Sequence, residues 1–179
     1  MGIFSTFIFC TKKFKHLGKG INVGLGVSVI NPQHIHIDDG FYADRWTRMH
    51  TWPEYRGKQT GYMPDLHIGK NVSFMTNCYV SCMNKIYIGN GCLFGDNVYI
   101  TDNFHGDGSE KQKSIPPIDR ELFSKGSVTI GNNVWVGRNV CILPGVTVGD
   151  SAIIGANAVV TRDVESCAVV AGVPAKRIN

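Results

Sequence analysis

IGNNVWVGRNVCILPGVTVGDSAIIGANAVVT, residues 130–161, repeats one pattern every six residues. An aliphatic residue stands at Ile130, Val136, Ile142, Val148, Ile154 and Val160. A second apolar residue follows four places later in each hexad, at Val134, Val140, Val146, Ala152, Ala158 and Val164. Side chains alternate along a strand, so the two apolar positions of a hexad share one side. Gly-x-Asn triplets fall between them, at 69–71, 95–97, 131–133, 137–139 and 155–157. Gly and Asn tolerate positive φ, which suits a corner. Six residues therefore give one short flat side and one corner. Three sides close a triangular coil of roughly 18 residues, and stacked coils pair as parallel strands around an aliphatic core. A helix is excluded, because Gly every six residues would weaken its interior throughout.

Working outward, the rhythm recurs at Ile68, Phe74 and Val80 with Val72 and Cys78. It recurs again at Ile88, Phe94 and Ile100 with Cys92 and Val98, after a step from Val80 that is longer than six. Ile37, Ala43 and Met49 keep the six-residue step with Phe41 and Thr47. Before that, Ile21–Val23 and Val27–Val29 alternate as strands without a clear register. The expected fold is all-β, a parallel β-helix of hexapeptide repeats in a single domain over 1–179. Its parts are a less regular N-terminal segment (1–36), coils with inserted loops (37–165) and a C-terminal tail (166–179). Insertions run from Trp52 to Asp65 and from Thr101 to Thr129 (the extruded loop, 101–129). Loops thrown out of a rigid scaffold commonly carry function. Helices are expected only as short pieces, near the N-terminus or within 110–125.

Composition agrees. The 179 residues contain 21 Gly, well above the usual share of about 7%. Hydrophobic residues make up 43% and charged residues 18%, as in a globular chain. A net charge of +4, scattered and without basic–aromatic runs, argues against nucleic acid. Six cysteines show no CxxC pair and no zinc-finger spacing, which fits a reduced, cytoplasmic protein. His34 and His36 alternate onto one strand face but lack a third partner at matching spacing, so no metal is expected. The N-terminal apolar stretch is too short for a membrane span, and its basic residues follow rather than precede it. Gly2 to Thr6 matches a myristoylation pattern only as a short motif. A weak peripheral membrane contact through Phe4, Phe7, Ile8 and Phe14 beside Lys12, Lys13 and Lys15 is the alternative to simple packing.

From about Ile68 to Ile178 the chain resembles the hexapeptide-repeat acyltransferases, with NNVWVG, LPGVTVG and AGVPAK in order. It is most similar to bacterial polysaccharide O-acetyltransferases and to maltose or galactoside acetyltransferases. The resemblance implies a left-handed β-helix, against the usual right-handed crossover. It also implies a homotrimer, acetyl-CoA as acyl donor in a cleft between neighbouring chains, and direct transfer without an acyl-enzyme.

The resemblance places the catalytic histidine at His105, in ITDNFHG. Acetyl transfer needs a base near neutral pH to take a hydroxyl proton, and imidazole has that pKa. The D-x-x-H-G string is similar to that of the polysaccharide O-acetyltransferases, so Asp102 or Asp107 is the candidate to orient the imidazole. Against that stands a loop carboxylate closing an Asx-turn. Trp135 is implied as a surface for the pantetheine arm. Gly137, Arg138, Gly155 and Ala156 match stretches whose backbone amides meet that arm. Thr161 and Arg162 match a Thr-Lys pair near the CoA phosphates, and Arg keeps the charge and can bind phosphate bidentately. Lys176 and Arg177 stand near the nucleotide end. The sugar acetyltransferases carry an active-site Asn where this chain has Met75. Asn77 is the substitute candidate, with a corner role as its competitor. Trp46, Trp52, Tyr55 and Tyr62 are candidates to stack on a sugar. The acceptor is expected to be a carbohydrate hydroxyl. The alternatives are an amino sugar (free or nucleotide-linked), a xenobiotic, serine, or a non-enzymatic assembly role.

Overall fold

Three parallel sheets run the length of the chain and enclose a single aliphatic core. The structure is a computed structural model and describes residues 3–179. Each turn of the chain contributes one strand to each sheet. In the coil below the extruded loop these are Val128–Ile130 on the first face, Trp135–Val136 on the second and Cys141–Ile142 on the third. The result is a left-handed parallel β-helix.

Both apolar positions of every hexad point inward. Ile130, Val134, Val136, Val140, Ile142 and Val146 are all buried. Phe41, Phe74 and Phe94 fill the wider upper coils, with Phe74 and Phe94 stacked at 4.6 Å between centroids. The corners follow the Gly-x-Asn triplets. Asn71, Asn97, Asn133, Asn139 and Asn157 all have φ between 55° and 61°. Along one edge their side-chain amides form a ladder from Asn77 to Asn97, Asn139 and Asn157, at 2.9, 3.0 and 2.9 Å. The triplet glycines let coils approach closely. A Cβ on Gly137 would lie 2.6 Å from the backbone nitrogen of Ala156 in the next coil.

Coil length is not uniform. The Asn ladder spans 20 residues per coil near Asn77, 18 near Asn139, and 42 where the extruded loop intervenes. The longer upper coils change where the helix starts. His16–Leu17, Asn22–Val23 and Ser28–Ile30 already pair in parallel with the strands of the following coil. Regular winding thus begins at His16, ahead of the expected boundary at Ile37. The blurred hexad there is a 20-residue coil whose extra residues include the turn Pro32–His34. At the other end Val169–Ala171 joins the second face, and Lys176–Arg177 folds back on it antiparallel, so residues beyond 165 extend the sheet.

Two short helices stand outside the coils, α1 (Ile3–Cys10) and α2 (Glu110–Lys113). Phe9 of α1 plugs the open end of the core and tilts against Phe14 at 4.9 Å. Phe7 and Ile8 are exposed. Gly2 and the Phe4 side chain lie outside the described residues. No described helix is long and apolar enough to cross a membrane.

Candidate functional site

Both insertions leave the end of the third face, with one coil between them, and fold against each other. The first forms a hairpin of Glu54–Tyr55 and Lys58–Gln59. The second begins with an antiparallel ribbon in which Phe104–His105 pairs with Leu122–Phe123. The Tyr55 hydroxyl donates to the Ile118 carbonyl at 2.9 Å, and Arg56 reaches Asp119 at 3.2 Å. The Tyr55 ring meets the His105 imidazole edge-on at 5.4 Å. His105 is exposed at the rim of a cavity of about 260 Å³ whose walls include Trp52, Tyr79, Ser81, Tyr99 and Leu143.

Beneath His105 lies a buried polar knot. Asp102 is fully buried, and its carboxylate is spoken for. Oδ1 accepts from the Met83 backbone N–H at 2.7 Å and from the Asn103 amide at 3.0 Å; Oδ2 accepts from the Asn84 backbone N–H at 2.9 Å. It staples the extra turn of the longer coil above and makes no hydrogen bond to His105. Asp107 is exposed and accepts from the Ser109 backbone N–H at 2.8 Å, which lowers its pKa; it too leaves the imidazole alone. Among the described residues neither Asp102 nor Asp107 hydrogen-bonds the His105 imidazole. What the sequence did not signal is Ser81. Its hydroxyl oxygen accepts from Trp52 Nε1 at 3.1 Å and from the Asn103 amide at 3.2 Å. With both acceptor positions filled, its own proton is the part left to donate into the cavity.

The other wall is aromatic. Tyr79 and Tyr99 stack at 5.5 Å, and Arg48 lies over Tyr79 at 4.6 Å. Burial raises the pKa of the Tyr99 phenol and lowers that of His50, which meets Tyr79 and Trp52 edge-on. Of the four candidate stacking residues, Trp52 and Tyr55 reach the cavity. Trp46 sits at an exposed corner with φ of 64°, and Tyr62 is exposed in the first insertion. Asn77 does not line this cavity of its own chain. It occupies a corner at φ 58° as the first rung of the Asn ladder, away from the cavity walls.

The expected donor-binding residues divide by edge. Gly137 and Arg138 lie directly above Gly155 and Ala156, joined by Asn157 N–H to the Arg138 carbonyl at 2.8 Å, and exposed Trp135 precedes them on the second face. Thr161 and Arg162 lie one coil below Leu143, on the edge that carries the His105 cavity. Lys176 is exposed on the strand folded back along the second face. Arg177 beside it is engaged by Glu165 at 2.6 Å. Trp135 and its neighbours do not line the His105 cavity of the same chain.

Residues 127–162 match the family model of the bacterial transferase hexapeptide (six repeats). The galactoside O-acetyltransferase of Escherichia coli K12 is 36% identical over 123 residues, covering 66% of this chain and 55% of that protein. A protein provisionally named as a lipopolysaccharide biosynthesis O-acetyl transferase, WbbJ, from the same strain is 36% identical over 113 residues, covering 61% and 57%. Among solved structures, a galactoside acetyltransferase in complex with coenzyme A superposes with a TM-score of 0.55 at 30% identity, covering 88% of this chain and 64% of that one. The chain spans somewhat over half the length of the curated relatives it matches.

Proposed function

We propose that the chain is a hexapeptide-repeat transferase, a reading supported by the match at residues 127–162, and that it moves an acetyl group from acetyl-CoA to a hydroxyl of a sugar or polysaccharide precursor. The observation that carries the reading is His105, held on an antiparallel ribbon at the rim of a cavity with an aromatic wall and the Ser81 hydroxyl. The galactoside and lipopolysaccharide names of the relatives support a carbohydrate acceptor, and the coenzyme A complex supports the donor.

In this reading His105 takes the proton of the acceptor hydroxyl as its oxygen attacks the thioester carbonyl. The C–S bond breaks, and the imidazolium returns the proton to the departing thiolate. The Ser81 hydroxyl is the side-chain donor at hand for the oxyanion. Trp52 and Tyr55 give a sugar ring apolar faces to lie against. Trp135, Gly137, Arg138, Gly155 and Ala156 receive the pantetheine arm. Thr161, Arg162 and Lys176 meet the phosphates, and Arg177 contributes after releasing Glu165. Because Trp135 and His105 occupy different edges, the donor cleft forms between neighbouring chains of a homotrimer. The reaction belongs in the cytoplasm, where acetyl-CoA is made.

The test is release of free thiol from acetyl-CoA with purified protein against free sugars, nucleotide-linked amino sugars, serine and streptogramins. Turnover is expected with a sugar hydroxyl. His105→Ala, with an unchanged circular dichroism spectrum, is expected to lower kcat by about 10²- to 10⁴-fold. Full turnover in that variant, or turnover with amines alone, overturns the reading.

A further inference from the structure

The outer surface of the first face carries a column of rings that acetyl transfer does not use. His16, His36 and His67 hold the same register position on three successive strands, and Tyr87 continues the column on the fourth. Their rings stack with centroids 4.4, 4.2 and 5.0 Å apart. Asp38 turns back against all three imidazoles. Its Oδ1 lies 3.0 Å from Nε2 of His36 and 4.0 Å from Nε2 of His16, and its Oδ2 lies 3.6 Å from Nε2 of His67. Three ring nitrogens on three different coils thus converge on one carboxylate.

We propose that His16, His36 and Asp38, with His67 behind them, form a structural site for a divalent transition cation of the zinc class. The candidate ligand atoms of His16, His36 and Asp38 already lie within 4.8 Å of one another. Tetrahedral bonds to imidazole nitrogen and carboxylate oxygen of about 2.0–2.2 Å need ligand atoms roughly 3.3 Å apart. Side-chain rotations close that difference, and exposed His16 has solvent beside it to make them. Nε2 of His67 lies 3.6 Å from the second carboxylate oxygen, on the side where groups that orient a metal ligand commonly stand. The ion would tie the first coil to the second, where the helix has only α1 above it. His34, the other histidine of this segment, stands in the Pro32–His34 turn outside the column.

Calorimetric titration of chelator-stripped, full-length protein with zinc chloride at pH 7.5 tests the site. Saturation near one equivalent per chain is expected, with Kd in the micromolar range or tighter. His36→Ala, Asp38→Asn and the exposed His16→Gln should each weaken binding at least tenfold, while His34→Ala leaves it unchanged. Zinc should raise the Tm of the native chain by several degrees and leave that of His16→Gln unmoved. Cobalt(II) should give visible d–d bands without a thiolate charge-transfer band. Absence of saturable binding, binding unchanged in His16→Gln and His36→Ala, or a thiolate band implicating Cys10 or Cys167 overturns the proposal.

Discussion

Asp102→Asn separates a carboxylate that orients the His105 imidazole from one that holds the scaffold beneath it. The carboxylate is fully buried and accepts from the Met83 and Asn84 backbone N–H groups and from the Asn103 amide. An Asn at this position keeps one acceptor oxygen and turns an NH₂ toward a backbone N–H that then has no partner. A buried donor left unpaired costs about 1–3 kcal/mol, and loss of the charge from the remaining bonds adds about 1 kcal/mol. The sum is about 3 kcal/mol. For a chain of this size that corresponds to a Tm drop of roughly 6–12 °C. Thermal unfolding by circular dichroism measures the drop. The rate of the proposed acetyl transfer by the remaining folded protein, taken well below the new Tm, measures any effect on His105. Turnover is expected to fall less than tenfold, with the pH dependence of kcat/KM unmoved. An unchanged Tm together with a loss of several orders of magnitude in kcat would show that Asp102 acts on the imidazole after all, and the staple would be refuted.

Phe74→Ala should lower stability by about 3–5 kcal/mol, because the ring is fully buried between Phe41 and Phe94 and the stacked coils cannot collapse around the hole; a loss under 1 kcal/mol in urea unfolding would contradict that packing. Iodoacetamide should label Cys167 first and Cys10 more slowly, since partial burial raises the Cys10 pKa. Cys78, pushed up to about 12 by burial, and Cys82 and Cys92, also raised, should react only on unfolding; mass spectrometry showing early Cys78 adducts would count against it. Burial lowers the folded pKa of His50 and His67, so both contribute stability above the unfolded value of about 6.5 and lose it as pH falls through the folded values. In chelator, Tm should hold from pH 8 to 7 and decline on further acidification, less steeply in His67→Gln; a Tm that rises on acidification would reverse the sign. Asp38 follows the same direction at lower pH, its contribution starting to fall below about pH 4 and lost as pH passes through its lowered folded value.

Much of the architecture was legible in the hexads. Inward residues such as Val134, Val136 and Val140, and the positive-φ corners at Asn133 and Asn139, follow from local pattern because each coil repeats the same local problem. The start of the helix was not legible. Hexad counting expects 18-residue coils, and the upper coils take 20. The extra residues at Pro32–His34 and Met83–Asn84 break the period while preserving the stacking. His105 stood out in the sequence through its motif and its place in an insertion. Asp102 stood out as well, but its partners are backbone amides of the preceding coil, which no sequence string displays.

The sequence by itself determined the prism, because alternation within a strand and Gly or Asn at a corner act between residues only a few positions apart. Tertiary structure alone decided that Tyr55 meets His105, that Trp52 and Asn103 claim the Ser81 oxygen, and that His16, His36 and His67 form one column. Those groups become neighbours only when coils stack. Which residue lies above which then depends on how many residues each coil spends on its corners, a sum over the whole turn that no local window contains.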